Sequence, residues 1–234
     1  MSYPHVLHYE GEIYMLPQGI GMTLYKCISF PTKWKMVADN LLGIALVDIT
    51  TVYYQNRWWA FGLHERFGKE HWKLHIFYAD KLTGPWLPTP HNCFNGKTRG
   101  VWTCIGGENV TEPHYSGSKF VRPGGRMFVD AGKLYRIAQD SAKHYGDDLN
   151  MFEITKLTID GKMEDKLIPS FRESLRSKDN VEEWNRNRYH HADLHMIPGK
   201  GGGPPRWVML IDGDYNLGRV VAPKDFAQER CADV

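Results

Sequence analysis

The 234-residue chain has no apolar run near the roughly 20 residues that a membrane-spanning helix needs. It has no excess of either charge. Its 29 Lys and Arg against 27 Asp and Glu leave a net +2, too little to suggest a nucleic-acid partner or a membrane-surface contact made by this chain itself. Cysteine is scarce, with four residues at positions 27, 93, 104 and 231. None has the C-x-x-C spacing of a zinc site. Cys93 and Cys104 either bridge a loop or stay reduced, and free thiols are the expectation. There is also no Gly-rich phosphate loop and no readable Ser-His-Asp arrangement, and His64-Glu65 lacks the spaced second His of a zinc protease. Asn109-Val110-Thr111 has the form of a glycosylation acceptor, which matters only in a secretory compartment.

Aromatic residues are plentiful at 13%, and 42% of the chain is hydrophobic, ample for one large packed domain. A short phrase recurs four times: Gly11–Leu16, Asn56–Phe61, Gly132–Ile137 and Pro205–Leu210. Each has a turn-forming residue, a polar residue, and then an apolar run led by a large side chain. Three follow a strand-like stretch directly, at 5–9, 49–54 and 126–130, which is the pattern of a β-hairpin.

Around these hairpins the chain divides into units at 3–42, 44–90, 121–169 and from His190 to about Gly218. The first two units each add a third strand (22–27 and 74–79) and end in a Pro-containing turn and a Trp, Pro31/Trp34 and Pro85/Trp86. The third adds 149–157. Long loops are expected at 91–120 and 170–189. This echo predicts four-stranded blades and hence an all-β, five-bladed β-propeller with one blade divergent, incomplete or missing. The propeller is expected over residues 1–222, with a C-terminal tail at 223–234. The first strand starts by His5, which leads us to expect further sequence upstream.

In a propeller the innermost strands line the central channel, and their ends converge on one mouth. The corresponding slot lies about eight residues before each hairpin turn and is polar in all four units. It holds Tyr3-Pro4-His5, then Asp48, then Arg122 and Arg126 around Pro-Gly-Gly, then His190-His191-Ala192-Asp193. Gln139 and Asp140 close the third hairpin beside a polar loop at 141–148. Buried polar residues need partners, so such a ring is either an internal network or a ligand site. Asp48, an acid at the end of the apolar run 44–47, is the candidate catalytic residue. Tyr3, His5, Arg122, Arg126, Gln139, Asp140, His190, His191 and Asp193 are the candidate substrate contacts. No cofactor is expected. The alternation of His191, Asp193 and His195 would put three polar groups on one strand face, so a divalent cation in the channel is the alternative to a hydrogen-bonded cluster. Asp212-Gly213-Asp214 reads as a hairpin turn.

Ser2-Tyr3-Pro4-His5-Val6, Phe30-Pro31-Thr32-Lys33-Trp34, Leu82-Thr83-Gly84-Pro85-Trp86, Arg122-Pro123-Gly124-Gly125-Arg126 and Leu134–Asp140 occur in that order. Together they resemble the N-terminal domain of glucosamine inositolphosphorylceramide transferases, from residue 2 to about 215. That family is itself similar to the five-bladed propellers of arabinanase-type and fructosidase-type glycoside hydrolases. The resemblance implies a glycan-handling domain, attached in plants to a separate glycosyltransferase domain, with a further blade before Ser2. It implies the Golgi lumen for a plant-like or algal protein and the cytoplasm for a bacterial one. The hydrolases carry carboxylates in the axial slots of three blades. Here only Asp48 fits, in the slot of the residue that tunes a pKa, while Arg122-Pro123 falls where the acid would be. Glu108 and Glu112 are the remaining carboxylates that could replace it.

Glycoside cleavage needs a proton donor and a second carboxylate, and an arginine at the acid's slot supplies neither. The favoured function is therefore a carbohydrate-active propeller that binds a glycan or sugar-containing acceptor and serves glycosyl transfer, with a glycosyltransferase domain as partner. A furanosidase-like hydrolase using Asp48 and a non-catalytic interaction scaffold are the alternatives.

Overall fold

The computed structural model describes residues 4–18, 21–64, 73–90, 92–95, 102–104, 109–110, 119–143, 145–176, 188–199 and 203–213. Tyr3, Glu108, Glu112, Cys231 and the 223–234 tail lie outside them, as do the side chains of Cys93 and Cys104.

The first sheet is β1 (His5–Tyr9), β2 (Glu12–Leu16), β3 (Leu24–Ser29) and β4 (Lys33–Ala38), paired in sequence order. The second is β5 (Val47–Tyr54), β6 (Arg57–His64), β7 (Lys73–Ala79) and β8 (Leu87–Pro88), in the same order. Three short strands follow in the stretch expected to be loop: β9 (Cys93–Asn95), β10 (Trp102–Cys104) and β11 (Asn109–Val110), forming a small antiparallel sheet. The third large sheet contains β12 (Lys119–Pro123), β13 (Phe128–Asp130), β14 (Lys133–Asp140), β15 (Asp148–Leu157) and β16 (Met163–Ile168). Helix α1 (Pro169–Leu175) interrupts the second expected loop, with proline in its first turn, where the missing N–H costs nothing. Among the described residues, β17 (Ala192–Ile197) and β18 (Arg206–Ile211) form the fourth unit.

Turn chemistry explains the hairpins. Tyr9 pairs with Glu12, Tyr54 with Arg57 and Asp130 with Lys133, so each loop has two residues. Those residues are Glu10-Gly11, Gln55-Asn56 and Ala131-Gly132, and all six have positive φ. That is the turn whose twist matches a right-handed strand pair. Trp86, buried in the core shared with the first sheet, donates its indole N–H to the Leu82 carbonyl at 3.0 Å, whereas Trp34 lies at the start of β4 and donates only across its own turn, to the Pro31 carbonyl at 2.8 Å.

Alternation along β6 shows how the sheets stack. Trp58 and Ala60 join Leu7, Leu16 and Leu24 of the first sheet in one core. Trp59, Phe61 and Leu63 point the other way, against Val121, Met127, Leu134 and Ile154 of the third. Ile137 and Leu149 of the third sheet then meet Leu175, Tyr189 and Ala192. A sheet buried on both faces by its sequence neighbours is a blade, and the fold is an all-β propeller.

The inner strands touch in turn. His5 of β1 bonds Thr51 of β5, Asp48 of β5 bonds Arg122 of β12, and the Ala192 N–H at the head of β17 bonds the Gly124 carbonyl at 2.8 Å. Gly125 and Ala192 form a parallel bridge in which a Cβ on Gly125 would lie 1.7 Å from the Ala192 carbonyl oxygen. The Pro-Gly-Gly string thus serves close approach by backbone.

Candidate functional site

Asp48 sits in a β-bulge. Val47 pairs with Leu63 and Thr50 with Phe61, so Asp48 and Ile49 share one opposing residue, and Asp48 takes φ 53°. Bulges re-aim side chains, and a non-glycine in this backbone region is held by its surroundings. Its carboxylate, 2% exposed, accepts Arg122 Nε–H at 2.5 Å and Gln139 Nε2–H at 3.2 Å on the same oxygen. Gln139 also donates to the Pro123 carbonyl at 2.8 Å. Three sequence candidates therefore meet in one buried group. β12 supplies Arg122 just before its strand breaks, and β14 supplies Gln139 at its end.

A second group is centred on Arg126, whose Nε–H bonds Asp193 Oδ1 at 2.7 Å and whose Nη2 donates to the Val6 carbonyl. Asp193 Oδ2 accepts His195 Nε2–H at 3.0 Å. Burial alone would raise the Asp193 carboxyl, but the bond and charge of Arg126, then those of His195, outweigh it and hold the group below its ordinary value. The face shared by Asp193 and His195 along β17 is thus a hydrogen-bonded pair. Among the described residues, no three His, Cys, Asp or Glu side chains gather into a set that could hold a metal ion.

His5 is buried beside the second of these groups. Burial, followed by the charge of Arg126, pushes its imidazole down from 6.5 to about 3. Neutral, its Nε2 accepts the Thr51 backbone N–H at 3.2 Å and lies 3.1 Å from the Thr51 hydroxyl. His191 is also lowered, by burial first, against the opposing pull of Asp193 and Asp212 and with a further upward pull from Asp48. Asp193 and His191 thus act electrostatically on His5, and Asp48 on His191.

The third group includes two residues that the sequence did not single out. Tyr145, in the 141–147 loop between β14 and β15, is 48% exposed. Its hydroxyl accepts Arg122 Nη2–H at 3.1 Å and lies 2.5 Å from His190 Nε2. His190 Nδ1 faces Asp212 Oδ2 at 3.3 Å. Asp212 Oδ1 also accepts the N–H groups of His190 at 2.8 Å and His191 at 2.6 Å. Burial would raise the Asp212 carboxyl, but these bonds depress it. A half-buried capping acid at the end of β18 was visible in sequence only as part of a turn.

Asp140 stands apart. Its oxygens accept the Ala142 N–H at 3.1 Å and face Arg172 at 3.8 Å, while its strand partner Asp148 is held by Arg172 at 2.7 Å and Arg176 at 3.4 Å. Its bonds run to α1 and to its own loop, so in this structure it anchors the helix rather than joining the Asp48 group.

The family model described as "Glucosamine inositolphosphorylceramide transferase 1, N-terminal" matches residues 1–214. Glucosamine inositolphosphorylceramide transferase 1 of Oryza sativa subsp. japonica is 33% identical over 221 residues, covering 92% of this chain and 26% of that protein. The Arabidopsis thaliana protein of the same name is 32% identical over 220 residues, covering 92% and 25%. The chain thus spans about a quarter of the length of the curated relatives it matches. Similar solved structures include a Bacteroides ovatus xyloglucan-locus GH43B protein, with TM-score 0.48 and 11% identity over 90% of this chain and 38% of that one. A Cellvibrio cellulosa α-L-arabinanase complexed with arabinohexaose has TM-score 0.42 and 14% identity over 70% and 56%. This chain belongs to the family of the glucosamine inositolphosphorylceramide transferase 1 N-terminal domain.

Proposed function

We propose that this domain binds a sugar-containing acceptor at the axial mouth and serves glycosyl transfer carried out with a separate catalytic domain. One observation carries the reading. Asp48 of the second unit pairs with Arg122 of the third, and Arg126 of the third with Asp193 of the fourth, while Arg122 also bonds the half-exposed Tyr145 beside the His190 imidazole. Aromatic faces suit sugar C–H surfaces, and paired Arg and Asp groups suit hydroxyls and anionic substituents. Asp48 accepts from two N–H donors and Asp193 from Arg126 and His195, so neither is arranged as a proton donor to a leaving oxygen. This favours recognition over hydrolysis, and an anionic glycan or phosphoinositol head group is the ligand class best matched to two arginines.

Calorimetric titration with neutral oligosaccharides, acidic oligosaccharides and inositol phosphates tests the reading. Binding of an acidic ligand that Arg126→Ala weakens at least about tenfold, in a variant whose thermal midpoint shows it still folded, is the expected result. Absence of binding across all three classes would overturn it. Turnover of aryl furanosides well above background would favour a hydrolase instead.

A further inference from the structure

Arg122 Nη2–H donates to the Tyr145 phenol oxygen, which lies 2.5 Å from His190 Nε2, and His190 Nδ1 lies 3.3 Å from Asp212 Oδ2. With the imidazole proton on Nδ1, beside that carboxylate, Nε2 is the acceptor for the phenol O–H. Asp212 is itself fixed by two backbone N–H groups, and Arg122 by Asp48. A hydroxyl on a base that is oriented by a carboxylate is the arrangement that activates an oxygen nucleophile. Here a guanidinium also lies 3.1 Å from that oxygen, placed to stabilise the phenoxide. The β17–β18 register brings Asp212 to His190, whereas Tyr145 comes from a loop of the third unit, so no local turn requirement explains its meeting with them. Tyr145 is also half-exposed, unlike Asp48 and Arg122.

We propose that Tyr145 is a catalytic nucleophile, with His190 as its base and Asp212 and Arg122 as positioning residues, acting on a sugar whose anomeric leaving group is a phosphate. The sugar identity rests on the carbohydrate reading above. In the first step the Tyr145 oxygen bonds to the anomeric carbon, the carbon–oxygen bond to phosphate breaks, and phosphate leaves as the anion. The phenol proton moves to His190 Nε2. In the second step an acceptor hydroxyl attacks the same carbon and the glycosyl–phenol bond breaks. The phenol oxygen takes its proton back from His190, and the acceptor's proton passes to solvent. A phenol is neutral before it reacts, so an anionic substrate beside Arg122 meets no repulsion of the kind a carboxylate nucleophile would impose.

An aryl sulfonyl fluoride tests the nucleophile without any sugar. The Tyr145 oxygen would bond to sulfur, fluoride would leave, and the proton would go to His190. Tyr53 is 50% exposed and lies elsewhere on the chain, so it is an internal standard. Labelling rates read by peptide mass mapping at pH 7 should show Tyr145 reacting at least about tenfold faster than Tyr53. His190→Gln should bring it down to the Tyr53 rate, and Asp212→Asn should lower it in part. Equal rates at the two tyrosines in the unmodified protein, or a ratio unchanged by His190→Gln, would overturn the proposal. If His190→Gln does not fold, seen as a changed Tyr53 rate, the unmodified ratio and Asp212→Asn decide. Because the probe carries no sugar, failure here leaves the binding reading standing, and failure of sugar binding leaves this result standing.

Discussion

Acidification should remove stability through His5 at a pH where the carboxylates are still ionised. Burial and the neighbouring Arg126 hold the native imidazole at about 3, while the unfolded chain titrates near 6.5. Between those values the unfolded state binds a proton that the native state refuses, so stability falls as the pH drops. Each unit corresponds to 1.36 kcal/mol, so moving from neutral pH to pH 5 removes about 2 kcal/mol through this residue alone. His191 is lowered too and adds in the same direction and window. Asp193 and Asp212 are depressed carboxyls, and their contributions are lost only as the pH falls below their ordinary 3.8. Replacing His5 with Gln isolates the term, because an amide oxygen can still accept the Thr51 N–H and does not titrate. Urea unfolding at pH 7.5, 6.5 and 5 should show the unmodified protein losing about 2 kcal/mol more than His5→Gln across that range. Parallel losses in the two proteins would refute the buried, neutral His5.

Two further outcomes follow from single observations. Asp48→Asn removes the charge opposing Arg122, both being nearly fully buried; this should cost about 3–5 kcal/mol in denaturant unfolding, and Asp48→Asn combined with Arg122→Met should recover most of it. Ala131 holds φ 47° in its turn, so Ala131→Gly should relieve a backbone penalty and raise stability by about 1 kcal/mol, seen as a higher thermal midpoint.

The blades were legible because their information is local. Two-residue turns and alternating aromatic residues repeat within a window of a few dozen residues, and the strands follow them closely. β9, β10 and β11 were read as loop because strands of two or three residues carry no periodicity. β16 was missed because it is a charged outer strand, and α1 because seven residues barely hold one amphipathic turn pattern. Within the site, Asp48 stood out as an acid ending an apolar run, but the bulge that aims it has no sequence signature. Tyr145 and Asp212 escaped because their roles depend on partners 45 and 22 residues away, and no offset from a hairpin turn encodes that meeting. Asp140 was singled out together with Gln139 because the pair ends a hairpin strand beside a polar loop. The two residues face opposite sides of β14, as alternation along a strand requires.

The groups proposed to bind sugar are also the groups that join the inner strands. Apolar wedges fill the space between the first, second and third sheets. Between the fourth unit and the first, a polar link stands out: Arg126 reaches Asp193 of β17 on one side and the Val6 carbonyl of β1 on the other. At the seam between the third and fourth units, the glycine-to-Ala192 backbone contact leaves no room for a side chain. A guanidinium fixed by two strands is already oriented when a ligand arrives, which lowers the ordering cost of binding. The same arrangement makes part of its stabilising role inseparable from its proposed binding role. A ligand that draws Arg126 away from Asp193 would loosen the β1–β17 junction, whereas one that adds to the pair would tighten it. The sign of the shift in thermal midpoint on ligand addition therefore reports which of the two geometries the bound state uses.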